Sequence, residues 1–333
     1  MNQTDASNAA VTPSLSVIVP LYNELENVAP LVDEIHAALA NHAGGWELIL
    51  VDDGSRDGTD RRVLELAEKF PHTLRYLLLQ RNFGQTAAMQ AGIDAARGAL
   101  LVTLDGDLQN DPADIPRLIA HLERHDLDMV VGWRRERKDN LFSRTLPSRI
   151  ANALIGRLSG VRLHDYGCSL KVYRASVIKG VQLYGEMHRF IPAWVATRTA
   201  PHRIDEMAVH HRARVHGESK YGIGRTFRVI VDLLSVYFFM NFLTRPGHFF
   251  GRIGLGFGAL GIGALGWLMF VKYVLGEAIG HRPLLIVGVL LCVVSAQFLS
   301  TGVLAEMLSR VYFASGRERA YVVRRSNLPD LRD

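Results

Sequence analysis

A chain of 333 residues with 48% hydrophobic content can bury one large core and carry an appendage, and two cysteines exclude a disulfide-built scaffold. The formal net charge of +5 points to anionic partners. The long apolar runs late in the chain make those partners lipid head groups and phosphorylated substrates, with no nucleic acid.

Residues 1–14 are polar, with neither a basic start nor an apolar stretch of signal-peptide length, and read as a disordered tail. From Leu15 short β-rich runs alternate with helical patterns. Leu15–Val19, Trp46–Val51, Leu74–Leu79, Ala99–Leu104 and Met129–Val131 read as strands, which predicts βαβ units and a mostly parallel sheet. The intervening helices are expected at Val28–Ala40 capped by Asn27, from Asp57 as cap to Phe70, at Gln85–Ala96, and after Asp111-Pro112.

In open sheets of this kind ligands collect beyond the carboxyl ends of the strands. Four loops fall on that edge: Pro20-Leu-Tyr-Asn-Glu24, Asp52-Asp-Gly-Ser55, Gln80-Arg-Asn-Phe-Gly84 and Asp105-Gly-Asp107. The last puts two carboxylates on one tight turn, a donor set suited to Mg²⁺ or Mn²⁺ with substrate phosphates completing the coordination. Alone the tripeptide is weak, because turns are rich in Asp. With a nucleotide diphosphate in the four loops, Asp52 or Asp53 would accept hydrogen bonds from base or ribose. Glu24 and the backbone near Pro20 would flank the base, while Asp105, Asp107 and Gln109 would hold the metal against the diphosphate as it leaves.

Charge density rises between Arg134 and Leu146, as in a mobile active-site loop, and Ser148–Leu158 is amphipathic. Phe227–Phe242 is amphipathic as well and reads as an interfacial helix. No residue is charged from Ile253 to Val271 or from Pro283 to Ala305, so each run reads as a membrane span. Arg225, Arg228, Arg245 and Arg252 precede the first span, and Arg310, Arg317, Arg319, Arg324 and Arg325 follow the second. Of Lys and Arg, the connecting region holds only Lys272 and Arg282. By the positive-inside rule both termini and the N-terminal domain are cytoplasmic and the loop Gly276–Arg282 faces out, as in a multi-pass protein of the inner (cell) membrane.

Two further patterns are set aside. Gly256–Gly261 and Gly261–Gly266 both match the dinucleotide fingerprint GxGxxG, but they lie inside an uncharged run and not between a strand and a helix. Gly254 with Gly258, or Ala259 with Gly263, read instead as helix-packing surfaces, which leaves homo-oligomerisation open. His210-His211 with His216 fit no helical i, i+4 zinc pair, and no cysteines accompany them.

Five ordered motifs carry a family resemblance: Val17-Ile-Val-Pro-Leu-Tyr-Asn-Glu24, Val51-Asp-Asp-Gly-Ser-Arg-Asp-Gly-Thr59, Arg81-Asn-Phe-Gly84, Asp105-Gly-Asp-Leu-Gln109 and Asp165-Tyr-Gly-Cys-Ser-Leu-Lys171. Together with His188-Arg-Phe-Ile-Pro192, Gly217-Glu-Ser-Lys-Tyr221 and the final pair of spans, the chain resembles inverting family 2 glycosyltransferases of the GT-A fold. Within these it is similar to the polyprenyl-phosphate hexose transferases related to dolichyl-phosphate mannose synthase. The resemblance implies a Rossmann-like, mostly parallel sheet flanked by helices, plus amphipathic interfacial helices and two C-terminal transmembrane helices. It divides the chain into a tail (1–14), a catalytic domain (15–224), an interfacial region (225–248), a membrane hairpin (249–310) and a basic tail (311–333).

The implied activity is inverting transfer of one hexose-like sugar from a nucleotide-diphosphate donor, UDP in many relatives, to undecaprenyl or dolichyl phosphate at the cytoplasmic membrane face. On the donor side it implicates Pro20, Tyr22, Asn23, Glu24, Asp52, Asp53, Asn82, Gly84, Asp105 and Gly106. The metal falls to Asp105, Asp107 and Gln109, and the acceptor phosphate to Arg134, Ser148, Arg149, Arg214 and Lys220 through charge-assisted hydrogen bonds. Asp107 and Asp165 are the catalytic candidates. Asp165 matches the family's base position, yet a phosphate monoester with a second pKa near ~6 needs little deprotonation, so a base and a positioning role both stand. A processive polysaccharide synthase is a poorer match, since its Gln-x-x-Arg-Trp motif is absent, and a non-catalytic scaffold leaves the intact acidic and basic residues without a use.

Overall fold

A computed structural model describes residues 12–135, 155–157, 159–183, 185, 187–213, 242, 246–314 and 320–328. The chain divides into two compact units, Met1–Leu233 joined by Arg319–Asp333, and Leu234–Glu318.

The first unit is built on one 8-stranded sheet in the order β7-β5-β6-β4-β1-β2-β3-β8. Strands β1 (Leu15–Leu21), β2 (Trp46–Asp52), β3 (Leu74–Leu79), β4 (Leu100–Thr103) and β5 (Met129–Trp133) coincide with the five sequence expectations to within two residues at most ends. β1 pairs in parallel with both β2 and β4, and β2 pairs in parallel with β3. All seven residues of β1 are buried, which is why its sequence is almost continuously apolar. The one polar member, Ser16, donates to Glu47 Oε1 at 2.7 Å and accepts from the Gly98 N–H at 2.8 Å. Glu47 is in turn held by Arg97, so a satisfied polar clip ties β1, β2 and the entry to β4.

The chain winds from β1 through β2 to β3 and then returns to the far side of β1 as β4. The strand order therefore reverses between β1 and β4, the position at which the loops part and leave a crevice. Beyond β4 the sheet becomes mixed. β6 (Lys171–Arg174) runs antiparallel to both β4 and β5, and β7 (Ile204–Ala208) is parallel to β5.

Helices α1 (Leu25–Leu39), α2 (Thr59–Lys69), α3 (Gln85–Ala95) and α4 (Ile115–Arg124) fill the connections, followed by the short α5 (Ala175–Ile178) and α6 (Ile191–Val195). Two expected caps are displaced. α1 starts three residues before Val28 with Glu24 as N-cap, and the Asn27 amide donates to Glu24 Oε2 at 2.6 Å. Gly58, in the left-handed region, caps α2, while Asp57 accepts from the Thr59 N–H at 3.0 Å and the Leu25 N–H at 3.1 Å, joining the starts of both helices. Asp111 does cap a turn of 3₁₀ helix, accepting from the Ala113 N–H at 3.0 Å.

The segment read as a basic tail supplies an eighth strand. β8 (Val323–Ser326) pairs antiparallel with the outer edge of β3. Around it the Gln80 N–H donates to the Val322 carbonyl at 3.0 Å, the Tyr76 N–H to Asn327 Oδ1 at 2.9 Å, and the Tyr321 hydroxyl to Asp94 Oδ2 at 2.9 Å.

The second unit is a helical hairpin of α7 (Pro246–Tyr273) and α8 (Pro283–Ala314). Both are long and apolar enough to cross a membrane. Their apolar side chains point outward, Ile262 being 69% exposed and Ile286 73%, which separates them from the core helices of a water-soluble domain. A Cβ on Gly254 would lie 3.0 Å from Leu299, one on Gly258 2.7 Å from Ser295 Oγ, and one on Gly261 2.8 Å from Cys292 Sγ. Those glycines therefore pack α7 against α8 within one chain. Gly263 has nothing within 4 Å.

Candidate active site

The four loops expected to converge are bonded to one another at the carboxyl edge of the sheet. The Asn23 N–H donates to Ser55 Oγ and the Arg56 N–H to Asn23 Oδ1, both at 2.9 Å, joining the loops after β1 and β2. Asp53 joins the loops after β2 and β3, accepting from the Phe83 N–H at 2.7 Å and the Gly84 N–H at 2.9 Å. Gly54, with φ of 68°, lets this approach occur, since a Cβ there would stand 2.5 Å from the Arg81 carbonyl carbon. Gln85 then links α3 to the loop after β4, its Nε2 donating to Asp105 Oδ1 at 2.8 Å. Gly106 serves the same end against β1, where a Cβ would meet Leu21 at 2.5 Å.

The two aspartates after β2 are thereby distinguished. Asp53 spends both oxygens on backbone N–H groups and is 2% exposed. Asp52 is buried too, but only its Oδ2 is bonded, to the Ser55 N–H at 3.2 Å, while Oδ1 has no partner among the described residues. Burial raises the pKa of Asp52 above the usual carboxylate range.

After β4, Asp105 and Asp107 flank Gly106 on a turn whose next residue, Leu108, is held at φ of 59°. The Gln109 N–H donates to Asp107 Oδ1 at 3.2 Å. Asp105 is pushed above the usual carboxylate range, first by burial and then by the charge of Asp107, against the lowering effect of Ser169, Lys171 and Arg134. A carboxylate pair in which burial and Asp107 disfavour the ionised form of Asp105 fits a divalent cation, which would relieve both effects. Among the described residues no third His, Cys, Asp or Glu completes a cluster with them, so remaining coordination would come from water, amide or substrate oxygens.

Arg134, at the end of β5, forms a two-pronged pair with Asp165, Nε to Oδ2 at 2.7 Å and Nη2 to Oδ1 at 3.0 Å. The Gly167 N–H adds a bond to Asp165 Oδ1 at 3.2 Å. Behind this pair lies Lys171, the first residue of β6, 2% exposed, its ammonium donating to the Cys168 carbonyl. Burial lowers the pKa of Lys171, and Cys168, Asp105 and Asp165 oppose that shift. One buried cation thus sits within electrostatic reach of both acidic groups.

Sequence reasoning gave His188 no role. It stands on a 3₁₀ turn, Met187–Phe190, with Nδ1 2.6 Å from Thr86 Oγ1. Tyr22, Asn23, Glu24, Asn82 and Gly84 lie on the joined loops, and Pro20 is the penultimate residue of β1. Ser148, Arg149, Arg214 and Lys220, together with the expected interfacial helix up to its last residue, lie outside the described residues. His210 is held by Asp114, its N–H donating to Oδ2 at 2.6 Å, and His211 bridges Asn110. Arg212 is spanned by Glu34 and Asp111.

Comparison with known proteins agrees with this arrangement. The family model Glycosyl transferase family 2 matches residues 16–181. The chain is 59% identical over 310 residues to dodecaprenyl-phosphate galacturonate synthase of Rhizobium johnstonii, covering 93% of this chain and 92% of the relative. It is 36% identical to undecaprenyl-phosphate 4-deoxy-4-formamido-L-arabinose transferase of Pseudomonas aeruginosa, over 90% of this chain and 86% of that protein. Among solved structures, glucosyl-3-phosphoglycerate synthase of Mycobacterium tuberculosis with phosphoglyceric acid superposes with a TM-score of 0.52 at 21% identity, covering 67% of this chain and 80% of that one. The same enzyme in complex with Mn²⁺, UDP-glucose and phosphoglyceric acid gives a TM-score of 0.52 at 20% identity, over 68% of this chain and 80% of that one. The mixed sheet, the paired acidic loop at its switch point and these relatives place the chain in glycosyl transferase family 2.

Proposed function

We propose that this protein transfers a single sugar from a nucleoside diphosphate donor, UDP-linked, to a polyprenyl phosphate, inverting the configuration at the anomeric carbon. The observation that carries it is the meeting of a carboxylate pair, Asp105 and Asp107, with a half-buried Arg134–Asp165 pair near Lys171, in a chain that also carries two membrane-length helices.

Asp52 would accept a hydrogen bond from the base or ribose, while Asp53 shapes the loop. Asp107 and Asp105 would hold Mg²⁺ or Mn²⁺, with Gln109 beside them, and a bound cation supplies Lewis-acid neutralisation of the diphosphate charge. An oxygen of the acceptor phosphate attacks the anomeric carbon as the bond to the diphosphate breaks, and the nucleoside diphosphate leaves. Because that oxygen is largely ionised at neutral pH, Asp165 acts as a positioning residue that fixes the plane of Arg134 for the acceptor phosphate. Ser148, Arg149, Arg214 and Lys220 complete this anion site. The two spans hold the protein in the membrane that carries the lipid acceptor, and the flanking arginines put the catalytic domain on the cytoplasmic side of the cell membrane. Galacturonate, named in the relative at 59% identity, makes a uronic acid the first donor sugar to test.

Membranes containing the protein are incubated with Mn²⁺, dodecaprenyl or undecaprenyl phosphate and a panel of labelled UDP-sugars that includes UDP-galacturonate. Label is expected in the lipid extract as one sugar per lipid, and to fall ~100-fold or more in Asp107→Ala. A ladder of longer products, or unchanged transfer by that variant, refutes the proposal.

A further inference from the structure

The Thr86 hydroxyl has one proton and two neighbours. The Gly185 carbonyl, 2.5 Å away, can only accept, so the Thr86 proton is committed to it. His188 Nδ1, 2.6 Å from the same oxygen, must then be the donor. This network fixes the Nδ1–H tautomer and leaves Nε2 as a bare acceptor, for which no partner is present among the described residues. Burial, together with Arg189 and Lys171, pushes the pKa of His188 down to about 3, so the ring stays neutral at working pH.

The ring also shares neighbours with the acidic turn. Thr86 follows Gln85, which holds Asp105, so consecutive residues of the first turn of α3 grip the acidic centre and the imidazole. Lys171 is within electrostatic reach of His188, Asp105 and Asp165 alike. A bare ring nitrogen repels phosphate oxygens, which are themselves acceptors, and suits a hydroxyl.

We infer that His188, locked by Thr86, reads the transferred sugar by accepting a hydrogen bond from one of its hydroxyl groups at Nε2. This rests on the reading of the site as a sugar transferase. It assigns donor specificity to a residue that the first turn of α3 holds beside the loop after β3.

The side-chain amide of Gln can replace Nε2, whereas that of Asn can replace only Nδ1, so the two variants separate the roles. Purified full-length wild type, His188→Asn, His188→Gln and Thr86→Val are titrated by calorimetry in Mn²⁺ with UDP and with whichever donor of the panel above labels lipid. UDP is expected to bind all four alike. The extra affinity of the UDP-sugar over UDP should fall ~10-fold in His188→Asn, survive largely in His188→Gln, and drop partway in Thr86→Val, which stays informative if the His188 variants fold poorly. An intact increment in His188→Asn, or equal losses for UDP and UDP-sugar, overturns the inference. If no donor labels lipid with wild type, the transferase reading itself fails and takes this one with it.

Discussion

Asp52 and Asp53 are adjacent, chemically identical and nearly equally buried, yet the backbone gives them different work. Which of them keeps an unpartnered oxygen was not legible, because the answer depends on where the N–H groups of Phe83 and Gly84 fall, thirty residues along. Removing the Asp53 acceptors strands two backbone donors at the foot of the β3–α3 loop. Asp53→Ala is therefore expected to lower stability by ~1–3 kcal/mol and to raise the donor KM more than it lowers kcat, measured by denaturant unfolding and by initial rates. His188 was illegible for the same reason, since its tautomer is set by Thr86 and Gly185. The carboxylates after β4 were legible because chemistry and turn geometry coincide in three consecutive residues.

The elements divide in the same way. The parallel strands β1 to β4, buried on both faces, announce themselves by continuous apolar runs. β6, β7 and β8 do not, because each is four or five residues long with charged members. The sequence of β8, Val-Arg-Arg-Ser, reads as a tail until β3 is seen to need an edge partner. It is more than decoration, for the adjoining Val322 carbonyl binds the Gln80 N–H at the start of the β3–α3 loop, and Arg324 reaches Asp60 at 3.0 Å. Truncation before residue 320 is expected to lower Tm by ~5 °C or more and to promote self-association through the bared edge of β3, checked by thermal melts and light scattering.

Across the whole molecule, acid stability should depend on pairs far from the site. Hydrogen bonds from Arg203 to Asp128, at 2.7 and 3.0 Å, hold its carboxyl below the usual range, against partial burial and with help from Thr199. The resulting stability is fully present above an unfolded carboxylate pKa of about 4 and is lost as pH falls through the lowered folded value. Arg203→Gln is expected to reduce Tm at pH 7 and to flatten its decline between pH 5 and 3, followed by intrinsic fluorescence.

The pairing of β3 with β8 also dictates an order of events at the ribosome. Residues 74–79 are made early, but their edge partner, residues 323–326, emerges only after both apolar helices have been translated. Throughout that interval the nascent sheet has an open rim beside the β3–α3 loop. The last strand to be synthesised thus serves as a completion latch, so that a chain stalled or clipped within the hairpin keeps an unpaired, association-prone edge.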